Sequence, residues 1–217
     1  MIPLGDVDRR PRNFPVVTVI LIAVNVVVFL IELTGTEDSI VRWAFVPAHI
    51  LAGRDLYTIF TAMFLHASWI HIIGNMVFLW AFGPEIEDTM GSIRYLIFYL
   101  LGGCAAAAAQ IAVSPASTVP SLGASGAIAA VMGAFIVTYP RDRIRTVFVI
   151  FVFVQVAYIP SVILIGIWFL TQLFSQVGAR VTTQTGGVAY MAHVGGFIFG
   201  TIFARLFEKK KRPEIAA

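Results

Sequence analysis

Four residues carry nearly all the chemistry available to the apolar stretches of this chain. His71 and Asn75 lie four apart in the second long uncharged run, Ser125 opens the fourth, and His193 lies near the start of the sixth. A hydroxyl able to act as nucleophile, an imidazole able to take its proton, and amide or imidazole N–H donors are the working parts of a serine hydrolase. Set in runs long enough to cross a bilayer, they point to the cutting of peptide bonds inside a membrane.

Each residue also has a plainer reading. Ser125, in Gly123-Ala124-Ser125-Gly126, follows a turn signal and reads equally as a helix N-cap. The unpaired backbone N–H groups of a helix start can receive the negative oxygen of a tetrahedral intermediate, so capping and catalysis draw on the same geometry. His193, in Ala192-His193-Val194-Gly195-Gly196, could be a satisfied core residue, but an ionisable side chain inside a span is expensive and points to function. Ala192, Gly196 and Gly200 recur every four residues, a face on which another helix can approach closely. If that helix is the fourth run, with its Gly126, Ala130 and Gly133, the imidazole and Ser125 come within hydrogen-bond reach. His71 and Asn75 share a helical face, and serve either as donors to a developing oxyanion or as an interhelical hydrogen-bond pair. His66 lies five residues before His71, about 140° away on a continuous helix, and reads as a structural residue at the membrane interface.

The acids exclude rival chemistries. All twelve Asp and Glu residues fall, on this reading, in connections, tails or span ends, so no paired aspartates are available for aspartyl-protease chemistry. No H-E-x-x-H helix is present for a zinc site, and neither a metal nor another cofactor is expected. Ser125 and His193 lack an acidic third member, so the base is expected to work as half of a dyad, oriented by packing.

The elements that must position these groups are apolar helices. Hydrophobic residues make up 59% of the 217 and charged residues 12%, against about 25% charged in a typical soluble domain. The apolar runs span roughly residues 16–33, 64–82, 95–113, 125–139, 160–177 and 188–207, and the second is expected to extend back toward Thr61. The predicted fold is an all-α polytopic bundle of six transmembrane helices in one membrane domain covering 1–217. Residues 146–159 are read as a membrane-associated connection before the break at Pro160. The first run lacks a small-residue cleavage site and is expected to be a retained anchor. Cys104 is the sole cysteine, so no intramolecular disulfide can form.

Orientation follows from Lys and Arg in the flanks. With cytoplasmic termini, twelve of them face inside and only Arg42, Arg54 and Arg180 outside. The net charge of +3 then reflects topology and contact with the inner leaflet, not nucleic-acid binding. The second, fourth and sixth spans all run from outside to inside, which sets His71, Asn75, Ser125 and His193 within about 10 Å of the outer helix ends.

The chain resembles the bacterial rhomboid intramembrane serine proteases. The resemblance extends from Met1-Ile2-Pro3-Leu4 and Phe14-Pro15-Val16-Val17 through Met63-Phe64-Leu65-His66 and His71-x-x-x-Asn75 to Gly123-Ala124-Ser125-Gly126 and Ala192-His193-x-x-Gly196. It implies a six-helix fold in which Ser125 is the nucleophile, His193 the general base, and His71, Asn75 and the Ser125 N–H the oxyanion-stabilising donors. It also implies a bacterial inner-membrane location, and substrates that are single-span membrane proteins cut near the outer face. Two positions depart from the pattern. Ala129 replaces an aromatic on which the histidine of some rhomboids stacks, and Tyr57 and Thr58 stand where some carry a Trp-Arg pair in the first loop. A competing reading is a non-catalytic, rhomboid-like binder of membrane helices, which would not need both Ser125 and His193. For substrate entry the fifth run is the candidate gate, with Trp168 and Phe169 expected to plug a gap against the second run.

Overall fold

A chain that leaves water must satisfy its backbone hydrogen bonds internally, and each of the six apolar runs contains a helix. The computed structural model describes residues 1–36, 40–150, 153–181 and 189–209. Among these the chain is mostly helical, in the order β1 (Ile2–Asp6), α1 (Val16–Glu32), α2 (Pro47–Leu51), α3 (Thr58–Thr61), α4 (Trp69–Met90), α5 (Ser92–Val113), α6 (Ser125–Thr138), β2 (Arg143–Ile150), β3 (Phe153–Pro160), α7 (Ser161–Val181) and α8 (Tyr190–Phe207). Helices α5 and α8 are each long and apolar enough to cross a membrane. A third candidate is Thr58–Phe64 taken together with α4, the two being bent by 92° at their break. Helix α1, helix α6 and the first part of α7 are apolar but shorter.

Helix α6 lies at the centre. Its 14 residues rise only about 21 Å, less than the roughly 30 Å of a hydrocarbon core. It can be short because Gly126 through Phe135 are all buried, packed among α4, α5, α7 and α8. Helix α8 fits between α5 and α6 through glycines on two faces. A Cβ at Gly196 would overlap the Gly126 carbonyl, one at Gly200 the Ala130 carbonyl, and one at Gly195 would meet Ala109 on α5. Backbones this close gain dispersion contacts along their length, which is what drives helix association where lipid removes the hydrophobic drive. The aromatic layer of Phe82, Tyr95, Phe98, Tyr99 and Phe135, all fully buried, completes the core.

Two expectations are corrected. The chain is not all-α, because Arg143–Ile150 and Phe153–Pro160 pair as antiparallel strands, to which β1 adds as a third. The apolar run 146–159 is rich in Val, Ile and Phe, and these residues pack well on a pleated surface. The second run does not continue back to Thr61 as one helix, since extended Leu65 and the Ser68 cap interrupt it before Trp69. That helix runs forward to Met90 instead, so that Glu85, Glu87 and Asp88 lie in its last two turns.

Buried Glu87 has a clear partner set. Its oxygens accept from the backbone N–H groups of Val17 (2.9 Å) and Thr18 (2.8 Å), from the Thr18 hydroxyl (2.8 Å) and from the Ser92 hydroxyl (2.8 Å). The carboxylate of α4 thus caps the start of α1, whose own Pro15 cap offers no side-chain bond, and its charge complements the helix dipole. Glu87→Gln turns one acceptor into a donor facing donors. We expect it to lower stability by roughly 2 kcal/mol or more, measured as a shift in the denaturation midpoint in detergent. An unchanged midpoint would show the cap to be dispensable.

The sheet is tied to the end of α6 by ion pairs. Asp8 binds Arg143 at 2.6 Å, and Arg9 pairs with Asp142 while lying 4.5 Å above the Tyr139 ring. Asp6 is less well served. Its Oδ1 accepts from Asp8 N (2.8 Å) and Arg9 N (3.3 Å), whereas Oδ2 is buried with no partner among the described residues. Burial first, and the nearby Asp142 carboxylate second, push the Asp6 carboxyl up to about 6. Because this lies above its unfolded value, the stability contributed by protonated Asp6 is complete below about pH 4 and is lost as pH rises through about 6. Asp8, held down to about 2 by Arg143, acts in the opposite sense, and only toward pH 2. Asp6→Asn should therefore flatten the stability profile between pH 4 and 6. A profile of unchanged slope, measured by thermal denaturation across that range, would remove Asp6 as its cause.

Candidate active site

Ser125 is the first residue of α6, and the cap position before it is Ala124, which makes no side-chain capping bond. The hydroxyl is therefore not used as an N-cap. Its Oγ lies 2.7 Å from Nε2 of His193. Gly123 makes the approach to Ser125 possible. Its φ of +125° is unfavourable for any side chain, and a Cβ there would stand 2.9 Å from the His71 ring. Its N–H bonds to the Ala62 carbonyl at 2.8 Å, which fixes the loop before Ser125 to the turn before α4.

His71 and Asn75 occupy the first two turns of α4, where Ser68 caps the helix by accepting from His71 N at 3.2 Å. The His71 ring packs edge-on against His66 at 5.1 Å, and His66 in turn meets Phe29 at 6.5 Å. His66 is buried and stands behind His71 as support, in keeping with a structural role. Asn75 is buried, with Nδ2 unpaired among the described residues. His71, Asn75, Gly123, Ser125, Trp168 and His193 line one cavity of about 640 Å³. The structure thus brings all four sequence-predicted residues together.

Two partners of His193 were not expected from the sequence. Its Nδ1 lies 2.7 Å from Oε1 of Gln172, and its ring packs against Trp168, with centroids 5.8 Å apart. Both come from α7, four residues apart and so on one helical face. The reading of an imidazole oriented by packing alone is corrected, because an amide oxygen occupies the place where soluble triads put a carboxylate. The signal in the sequence was weak, since the fifth run holds two amides, Gln172 and Gln176, and nothing in their order marks the first. Trp168 lies on His193 and Phe197, and Phe169 stacks on Phe197 at 4.3 Å, so both pack on α8.

The two departures from the resemblance have local explanations. Ala129 is fully buried, and its methyl would lie 3.5 Å from a Cβ placed at Gly196. A small residue there lets α8 close on α6, while Trp168 supplies the aromatic contact from α7. In the first loop, Tyr57 packs edge-on against Trp43 at 5.8 Å. The backbone of Phe45 bonds in both directions with Ser121 (3.0 and 2.8 Å), fastening this loop to the segment that leads to Ser125.

The arrangement sets a hydroxyl, a hydrogen-bonded imidazole, an unpaired amide donor and a second imidazole around one cavity among apolar helices. Residues 53–210 match the family model described as Rhomboid domain. The chain is 26% identical over 199 residues to "Rhomboid protease GlpG" of Haemophilus influenzae, covering 92% of this chain and 94% of that protein. It is 30% identical over 133 residues to "Rhomboid protease GluP" of Bacillus subtilis, covering 59% of this chain and 26% of that one. It is also 26% identical over 229 residues to "Rhomboid protein 1, mitochondrial" of Saccharomyces cerevisiae. That match takes in 99% of this chain, which spans only 60% of the yeast protein's length.

Proposed function

This chain belongs to the rhomboid family, and from that premise we propose that it is an active intramembrane serine endopeptidase working through a Ser125–His193 dyad. The observation that carries the reading is the 2.7 Å contact between Ser125 Oγ and His193 Nε2, in a cavity lined by two further donors. His193 Nε2 takes the hydroxyl proton as Oγ attacks the scissile carbonyl carbon. The oxygen that becomes negative is received by the Ser125 N–H at the start of α6, by Asn75 Nδ2 and by His71. His193 then gives its proton to the leaving amine. It next deprotonates the water that hydrolyses the acyl-enzyme.

Asn75 Nδ2 suits the oxyanion role because a buried donor left unpaired costs roughly 1–3 kcal/mol, a cost offset when the transition-state charge arrives. Asn75→Ala should lower kcat by roughly 10² to 10³ without abolishing turnover, since one donor of several is lost. Full kcat in that variant would return Asn75 to a structural role.

The further parts of the proposal are a single membrane domain whose six apolar helices all span, cytoplasmic termini in a bacterial inner membrane, and single-span membrane-protein substrates cut near the outer face. They are supported by the distribution of Lys and Arg and by the shared depth of the four residues. The direct test is labelling of the protein in liposomes with a fluorophosphonate probe, which modifies only an activated serine. The reading expects labelling at Ser125, and loss of labelling in His193→Ala. Absence of labelling in a folded wild-type protein that also fails to cut a single-span reporter would refute it.

A further inference from the structure

A neutral imidazole can act as base toward Ser125 only in the tautomer that carries its proton on Nδ1 and its lone pair on Nε2. Something must select that tautomer, and in a soluble triad a buried carboxylate does so. Here the atom at Nδ1 is Gln172 Oε1, at 2.7 Å. An amide has two ends, so its orientation decides whether it accepts from Nδ1 or donates to it. That orientation is set on α7 itself. Gln172 Nε2 lies 3.4 Å from the Trp168 carbonyl oxygen and 3.2 Å from the Thr171 hydroxyl. A carbonyl oxygen accepts and never donates, so the end of the amide facing it is the NH2, and the end facing His193 is the oxygen.

The geometry points to Gln172 as the residue that positions the general base, holding His193 in the Nδ1–H tautomer with Nε2 aimed at Ser125. This rests on the proposed dyad and deepens it. The chain of bonds runs from the Ser125 hydroxyl to His193 Nε2, from Nδ1–H to Gln172 Oε1, and from the Gln172 amide to the Trp168 carbonyl. Each bond polarises the next. Trp168, one turn before Gln172 on the same face, closes on the imidazole as well, so one turn of α7 supplies both contacts. An amide suits the site better than a carboxylate. It selects the same tautomer without placing an ionised group in an apolar bundle, where a charge loses the hydration that water would give it. The groups facing the imidazole are Ser125, Gln172, Trp168 and Tyr190, with His71 across the cavity.

The test compares the wild type, Gln172→Met and Gln172→Glu in liposomes, using a single-span reporter and fluorophosphonate labelling of Ser125, with each midpoint of thermal denaturation checked. Methionine keeps the length and apolar contacts of glutamine but removes the acceptor. It should lower kcat roughly 10- to 100-fold and slow labelling in parallel, with KM changed less than about twofold. Glutamate keeps an acceptor and adds charge that favours the imidazolium. It should recover most of the rate at high pH, with the acid limb of the kcat/KM profile moved to higher pH. A purely structural Gln172 would shift the denaturation midpoint but leave both the limb and the split between kcat and KM unmoved. Gln172→Met with wild-type kcat, or Gln172→Glu with an unmoved limb, overturns the positioning role while leaving the dyad intact. A folded wild type that neither cleaves nor labels overturns the dyad, and the positioning role with it.

Discussion

Ser125→Ala and His193→Ala are each expected to lower the rate of reporter cleavage by on the order of 10⁴ to 10⁶, the range seen when one member of a catalytic serine constellation is removed. Ser125 and His193 act as a unit joined by one 2.7 Å contact. The double variant should therefore be no slower than the slower single one. Fold should survive both changes. Ser125 makes no capping bond, and His193 contributes ring contacts to Trp168 and Tyr190 but does not form the glycine contacts of α8 with α6. Cleavage rates in liposomes, with folding checked by thermal denaturation, separate the outcomes. Substantial turnover in either folded single variant, or additive losses in the double one, would sink the dyad.

Gly196→Val is expected to approach the loss of His193→Ala by a different route. A Cβ at 196 would overlap the carbonyl of Gly126, and both are buried, so α8 must move away from α6. His193 is three residues before Gly196 on α8 and Ser125 is adjacent to Gly126 on α6. A helix displacement of about 1 Å would therefore carry Nε2 out of reach of Oγ, and misplacement on that scale costs about 10² in rate or more. Unlike His193→Ala, this variant should also lose stability, by roughly 1–3 kcal/mol for an overpacked core. The informative measurement is the pair of rate and denaturation midpoint. A rate within about threefold of wild type would mean that the two helices are not held together at this point.

How much of this was legible in the sequence depended on whether the signal was local. His71, Asn75, Ser125 and His193 could be picked out because a polar side chain in a long apolar run is costly and therefore rare. The small-residue faces of α6 and α8 were readable for a similar reason, since a four-residue recurrence of Gly and Ala has one main use in a membrane helix. The identity of the facing helix followed only conditionally from those faces, and the packed structure supplies the contact. Residues 146–159 illustrate the opposite case. Their apolar character did not distinguish membrane-associated chain from strand, and what makes strands of 143–150 and 153–160 is pairing with each other and, for the first, with Ile2–Asp6, more than a hundred residues away.

From the sequence alone came a membrane-embedded helical chain and four residues able to do serine-hydrolase chemistry, because composition and helical spacing register directly in the order of residues. The tertiary structure alone decided the bend before α4, the capping of α1 by Glu87, the turn of Trp168 and Phe169 toward α8, and the contact of Gln172 with His193. Each of these depends on how one element is rotated and seated against another. Spacing along a helix says which side chains share a face, but only packing against its neighbours determines what that face meets.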